Sequence, residues 1–163
     1  MATNPVTSGS DLECREQILE AAKSLFEAKG LQKTTVREIA RQAGYTTGAV
    51  YFHFANKEAI YFDILFSLAQ SLREQVEKAA GEKSDPFSAV MAGFLAYVRF
   101  FENKPDDLCL SLINNRKHLV ADQMTIISQE FQRIRQCFTD LMLRFGIDRN
   151  RAELEAGVLM GDM

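Results

Sequence analysis

The chain has 163 residues, of which 47% are hydrophobic and 25% are charged, and its formal net charge is −3. This composition excludes intrinsic disorder over most of the length and predicts one globular protein or two small domains. The uncharged apolar run 86–98 is too short to cross a bilayer, and the first ten residues lack the features of a secretory signal, so we expect a cytoplasmic protein with no membrane partner.

The hydrophobic residues recur with helical spacing, and no segment alternates like a half-buried strand, so the predicted fold class is all-α. In the first half of the chain, four apolar segments follow residues with N-cap chemistry, which are Ser10, Thr35, Thr46 and Asn56. Glycines end three of these segments. The pattern predicts helices over about 10–29, 35–43, 47–54 and 57–80.

The second half of the chain begins at Asp85-Pro86, an N-cap followed by proline at the first helical position. It is predicted to hold helices from Pro86 to before Pro105, over about 106–116 and 119–145, and from Asp148 onward. No C-cap signal follows the last helix before Met163, so we expect an eighth helix that is truncated. The predicted organisation is a flexible tail at 1–10, a domain with two short helices at 11–56 and a helical domain at 57–163.

The charge is segregated along the sequence. From Lys29 to Lys57 there are five basic residues and one acidic residue, whereas the segment from Tyr61 to the end has 12 basic and 15 acidic residues. Two short helices joined by Gly44-Tyr45 after a longer helix have the arrangement of a helix-turn-helix, whose second helix enters the major groove of DNA. We therefore expect an anionic partner, double-stranded DNA, at the N-terminal part of the chain.

Several residues of this segment have the chemistry to contact DNA. Thr47 and Tyr51 share a face of the second short helix, and Gly48 has no side chain to keep the backbone from the groove. Hydroxyl and ammonium groups at or near helix starts suit phosphate contacts, and they are supplied by Thr34, Thr35, Thr46, Tyr51 and Lys57. The alternatives are simple helix capping for the threonines and a place in the core for Tyr51.

Residues 13–66 resemble the DNA-binding domain of the tetracycline-repressor (TetR) family of transcriptional regulators. The resemblance is carried by Arg15, Ile18-Leu19, Ala22, Leu25-Phe26, Gly30, Thr34-Thr35-Val36, Ile39-Ala40, Ala43-Gly44, Gly48-Ala49-Val50-Tyr51, His53-Phe54 and Lys57-Glu58. It implies that the operator is contacted by Arg37, Thr47, Gly48, Tyr51, His53 and Lys57. Thr47 stands where the family frequently has a longer side chain, so we expect sparse base readout from it. For His53, an ordinary surface or half-buried position is the alternative.

The resemblance also implies a homodimer that reads a pseudo-palindromic operator, with a helical C-terminal domain that holds an inducer and forms the dimer. Family members usually have two long C-terminal helices for dimerisation. We therefore expect residues 57–163 to be a ligand-binding and dimerisation domain that is incomplete at its C-terminus.

Apolar and aromatic side chains of the C-terminal part are expected either to line a pocket for a small, largely apolar effector or to pack an ordinary core. They are Phe94, Tyr97, Phe101, Leu112, Met124, Phe131, Phe138 and Met142. Cys14, Cys109 and Cys137 are widely spaced and fit neither a disulfide framework nor a metal motif, so we expect no metal and no cofactor.

The function expected from these patterns is a DNA-binding transcriptional regulator, a repressor released from its operator by the effector. A second hypothesis is a truncated or accessory family member that binds a ligand or partner without dimerising on DNA. An enzyme is disfavoured because the two histidines, His53 and His118, are 65 positions apart and no HExxH motif or paired Cys and His at ligand spacing is present.

Overall fold

The computed structural model describes residues 9–102 and 119–160, without the side chains of residues 9 and 10. The described ranges contain helices and no strand, which confirms the all-α prediction. Leu112, Cys109 and the predicted helix at 106–116 lie outside the described residues. The helices are α1 (Gly9–Lys29), α2 (Val36–Ala43), α3 (Thr47–His53), α4 (Lys57–Gly81), α5 (Pro86–Glu102), α6 (Ala121–Arg144) and α7 (Arg149–Leu159).

Side-chain caps begin the helices where the sequence predicts them. The Thr46 hydroxyl accepts a hydrogen bond from the Ala49 amide at 3.2 Å, and the Asn56 side chain accepts one from the Ala59 amide at 2.8 Å. Asp85 and Asp148 cap α5 and α7 in the same way. Each cap satisfies an amide that has no partner within its helix. The first helix differs, because α1 begins at Gly9 and Ser10 lies inside it.

The chain divides into two compact units between Ile64 and Leu65, within α4, whereas the predicted domain boundary lies at the start of this helix. The first unit contains α1 to α3 and the beginning of α4. Its core is formed by side chains that are almost completely buried, among them Ile18, Ile39, Val50 and Ile60. Helices as short as α2 and α3 gain most of their stability from packing on such a core rather than from helix propensity.

The second unit contains the remainder of α4 with α5, α6 and α7, and α6 packs against both α5 and α7. Gly93 allows α5 to approach α6, because a Cβ atom there would lie 3.1 Å from the ring of the fully buried Phe138. The buried carboxylate of Glu130 on α6 accepts a hydrogen bond of 2.6 Å from Arg73 of α4. A buried charge needs such a partner, and this ion pair links α4 to α6.

Candidate nucleic-acid interface

The exposed face of α3 is formed by four residues that share one side of the helix. Thr47, Gly48, Tyr51 and Phe52 are all exposed, whereas Val50 on the opposite side is 1% exposed. At about 100° per residue the four exposed positions fall within about 140° of the circumference. The alternative that Tyr51 is a core aromatic is wrong, because its side chain is 57% exposed.

Gly48 has no packing reason to be glycine. A Cβ atom at this position would meet only the Thr46 hydroxyl oxygen, at an ordinary contact distance of 3.7 Å, and no positive φ angle requires glycine here. Glycine within a helix is less favourable than alanine by up to about 1 kcal/mol. In return, glycine leaves the α3 backbone uncovered at this exposed position, so a binding partner can approach it closely.

Thr34 requires a correction. Its side chain is 1% exposed, and its hydroxyl donates a hydrogen bond of 2.9 Å to the carbonyl oxygen of Gly30, just after the end of α1. A buried hydroxyl that already donates to the backbone does not reach a phosphate, so the prediction of a DNA contact for this side chain is wrong. Thr34 stabilises the connection between α1 and α2 instead.

Thr35 begins α2 through a capping box. Its hydroxyl accepts a hydrogen bond from the Glu38 amide, and its own amide donates to the Glu38 carboxylate at 3.0 Å. Glu38 also pairs with Lys29 across a distance of 2.6 Å. These contacts hold the pKa of the Glu38 carboxyl at about 2, well below its ordinary value of 4.5, with the Lys29 hydrogen bond as the largest cause. The capping function predicted for Thr35 and Thr46 is therefore present, and their phosphate contacts stay predictions.

The Lys57 ammonium is occupied within the protein. It donates hydrogen bonds to the carbonyl oxygens of Leu31, Gln32 and Thr34 at 3.0, 3.3 and 3.1 Å. An ammonium group has three donors, so all of them are used. From the sequence, an external anion is the expected partner of this cation at the start of α4. This expectation is corrected, because the three carbonyl oxygens between α1 and α2 are its negative partners.

The exposed positive charge of the first unit is therefore smaller than the sequence count suggests. Lys29 is neutralised by Glu38, and Lys57 is bound to backbone carbonyls, whereas Lys33, Arg37 and Arg41 have exposed side chains. Arg37 and Arg41 are four residues apart on α2 and share a face. Arg41 was not among the predicted contact residues, although its spacing from Arg37 was a signal for it.

Two contacts position α3 from within the first unit. Tyr45, in the turn before α3, donates a hydrogen bond of 2.9 Å from its phenol to the Gln17 side chain of α1. Arg15 lies over the ring of Phe54, the residue after α3, at 5.2 Å from the ring centre, and pairs with Asp63 of α4. Both ends of this seven-residue helix are thus held by α1, which fixes the direction of its exposed face.

His53 and Phe52 are the last two residues of α3. His53 is half-buried, and the rings of Phe52 and His53 meet edge to face with their centres 5.0 Å apart. Phe52 was missed as a site residue because a phenylalanine in an apolar helix is ordinarily assigned to the core. The available signal was its position directly after Tyr51, a residue that the sequence predicts to face outward.

The predicted effector residues of the second unit have mixed environments. Phe94, Phe101, Met124 and Phe131 are half-buried, and Tyr97 and Met142 are buried. Phe138 is corrected to a core residue, because it is fully buried with its ring against Gly93.

Two cavities, of about 450 and 340 Å³, are lined entirely by described residues of this unit, and neither lining includes any of these seven side chains. The second cavity contains the half-buried Cys137, whose pKa is raised by burial and by the nearby carboxylates Glu77 and Asp140. In the described ranges, no three His, Cys, Asp or Glu side chains are grouped to hold a metal ion. No helix in the described part of the chain is long and apolar enough to cross a membrane.

The family model described as bacterial regulatory proteins, tetR family, matches residues 18–64. The probable acrEF/envCD operon repressor of Escherichia coli is 31% identical over 120 residues, which cover 72% of this chain and 54% of that protein. The chain thus spans about half the length of this relative.

Solved structures share the helical arrangement. A TetR family transcriptional regulator, PfmR from Thermus thermophilus, is 28% identical with a TM-score of 0.73, and the match covers 90% of this chain and 80% of that one. The superantigen PfiT has a TM-score of 0.80 at 20% identity, over 98% of this chain and 83% of that one. At that identity, the second likeness shows a shared fold alone.

Proposed function

Because its helix-turn-helix segment places the chain in the TetR family of bacterial regulatory proteins, we propose that the protein is a sequence-specific DNA-binding transcriptional regulator. The observation that carries the proposal is the exposed face of α3, on which Thr47, Gly48 and Tyr51 are open to solvent. An α-helix with small, polar and aromatic groups on one exposed face suits the major groove, whose width admits a helix.

The second helix supplies the charge for this interaction. The exposed guanidinium groups of Arg37 and Arg41 lie on one face of α2, the helix that precedes the recognition helix in a helix-turn-helix. Arginine binds phosphate oxygens through two parallel donors, so each of these side chains is suited to one phosphate. In this proposal α3 reads the bases, and α2 fixes the orientation on the phosphate backbone.

We also propose that the regulator is a repressor that a small, largely apolar effector releases from DNA. Repression is supported by the name of the E. coli relative, which is described as an operon repressor. The half-buried Phe94, Phe101, Met124 and Phe131 of the second unit are the proposed effector contacts. We propose further that a homodimer reads a pseudo-palindromic operator, and that α4, to which both units contribute residues, links the effector to DNA.

The test uses the full chain and a library of random-sequence duplexes. Repeated selection of bound duplexes is expected to enrich a defined sequence, and Tyr51→Ala is expected to weaken binding of that sequence by at least about tenfold, or about 1.4 kcal/mol. Phe87→Ala is the matched control, because Phe87 is an aromatic residue of similar exposure on α5 in the second unit. Fluorescence anisotropy measures each affinity. Failure to enrich any sequence, or equal loss of affinity in both variants, would contradict the proposal.

A further inference from the structure

Phe52 has the most exposed large hydrophobic side chain in the described part of the chain, with 78% of its surface open to solvent. A phenylalanine this exposed lacks most of the hydrophobic stabilisation that its burial would give. Its ring packs edge to face with the ring of His53, and most of its surface is open to solvent. Phe52 therefore contributes little to the core of its own unit, and its side chain is available to a partner.

The neighbourhood of Phe52 indicates which partner. Phe52 follows Gly48 by one helical turn, so the two residues lie on the same side of α3. Glycine leaves that position without a side chain, and a Cβ atom there would meet only the Thr46 hydroxyl oxygen, at 3.7 Å, so the backbone at Gly48 is open. Phe52 thus presents an apolar ring near the open backbone at Gly48, on the same exposed face as Thr47 and Tyr51.

We infer, on the basis of the proposed DNA-binding function, that Phe52 is a specificity-determining residue that contacts the C5-methyl group of thymine in the major groove. A phenyl ring has no hydrogen-bond donor for a phosphate oxygen and cannot form the polar base contacts that arginine or asparagine make. The thymine methyl is the apolar group that the base edges present in the major groove. The contact therefore favours A·T pairs at the position that Phe52 reaches.

The test compares two duplex probes that differ in this methyl group alone. One is a duplex of alternating A and T, and the other has deoxyuridine in place of every thymidine. The full chain is titrated with each at low ionic strength, where contacts to phosphates support binding without sequence recognition. Burying one methyl group contributes about 0.8 kcal/mol, so the wild type is expected to bind the thymine duplex about fourfold more tightly for each methyl contacted.

Variants assign the preference to Phe52. Phe52→Ala is expected to bind both duplexes equally, with the affinity for the uridine duplex little changed, and Phe52→Leu is expected to keep part of the preference because it retains apolar surface. Phe87→Ala, which removes a comparably exposed ring in the second unit, is expected to keep all of it. Circular dichroism is expected to show the same helix content for every variant, because neither ring is buried.

The outcomes separate this inference from the function on which it rests. Equal binding of both duplexes by the wild type, or a thymine preference that survives in Phe52→Ala, would overturn the role of Phe52 and leave DNA binding standing. Absence of binding to either duplex would contradict DNA binding itself. A preference that disappears in both Phe52→Ala and Phe87→Ala would also overturn the inference, because it would then arise from no specific contact of α3.

Discussion

At the scale of single residues, the exposed face of α3 combines features that a stable isolated helix would avoid. Gly48 lowers helix stability, and Tyr51 and Phe52 expose aromatic surface. The residues on the other side of the helix are conventional, since Val50 is fully buried and Thr46 supplies the cap. The departures from good helix design are thus confined to the face that the proposal assigns to DNA, which is where function rather than folding sets the residue type.

Gly48 gives the sharpest prediction at this scale. Gly48→Ala is expected to raise the free energy of unfolding by up to about 1 kcal/mol, because alanine is the better helix former and its methyl group meets only the Thr46 hydroxyl. The same methyl group is expected to weaken binding of the selected duplex by keeping the backbone from the groove. Thermal unfolding and anisotropy titration check the two effects. A variant that is both more stable and equally tight in DNA binding would show that the open position has no role in recognition.

The distinction between local and tertiary contacts explains which residue roles were predictable. The caps by Thr35, Thr46 and Asn56 involve partners three residues away, so the local sequence contains all the required information. The sequence does not predict the partners of Thr34 and Lys57, because these are backbone carbonyls brought near by the folding of the chain. A hydroxyl or an ammonium in the sequence shows that a hydrogen bond is needed, but it does not show whether the protein or a ligand provides the other group.

At the scale of elements, the end of α1 and the start of α2 are joined through one carboxylate. Glu38 completes the capping box of α2 and pairs with Lys29, the last residue of α1. Both contacts favour the ionised carboxylate and lower the pKa of Glu38 to about 2. Since a lowered pKa in the folded state stabilises the protein above the ordinary pKa, this contribution is complete above about pH 4.5 and is lost as the pH falls toward 2.

Glu38→Gln separates the charge from the cap, because glutamine retains an oxygen that accepts from the Thr35 amide. The variant is expected to unfold at a lower temperature than the wild type near neutral pH, and the difference is expected to shrink as the pH decreases from 4.5 to 2. Thermal unfolding followed by circular dichroism over this range measures the difference. Lys29→Met serves as the partner control and is expected to show the same trend. A difference that is independent of pH would contradict the assigned role of the carboxylate.

The number, order and approximate bounds of the described helices were predictable, because apolar periodicity and caps are properties of short segments. The packing of α6 against α5 was less predictable from the sequence. The apolar periodicity of α6 predicts a buried face but does not reveal that the Phe138 ring packs against Gly93, or that the buried Glu130 accepts a hydrogen bond from Arg73. Assigning an aromatic residue to a ligand pocket rather than to the core requires knowledge of what it packs against, which one sequence does not contain.

At the scale of the whole molecule, the net charge of −3 conceals two regions of opposite character. The segment from Lys29 to Lys57 is basic, and the structure shows which of its charges are available: Lys33, Arg37 and Arg41 are exposed, whereas Lys29 and Lys57 are engaged internally. The central claim is that these exposed charges and the face of α3 together bind DNA. The salt dependence of binding is the property that depends most directly on this claim, because each neutralised phosphate releases counterions.

The decisive measurement is therefore the slope of log affinity against log salt for the selected duplex. Replacing both Arg37 and Arg41 by glutamine is expected to weaken binding and to reduce the magnitude of the slope by about 1.8 per chain, at about 0.9 for each phosphate that the variant no longer neutralises. The control replaces Arg149 and Arg151, two exposed arginines of α7, by glutamine and makes the same change in net charge. The account predicts an unchanged slope for the control. Equal slopes for the wild type and the Arg37 and Arg41 variant would contradict it.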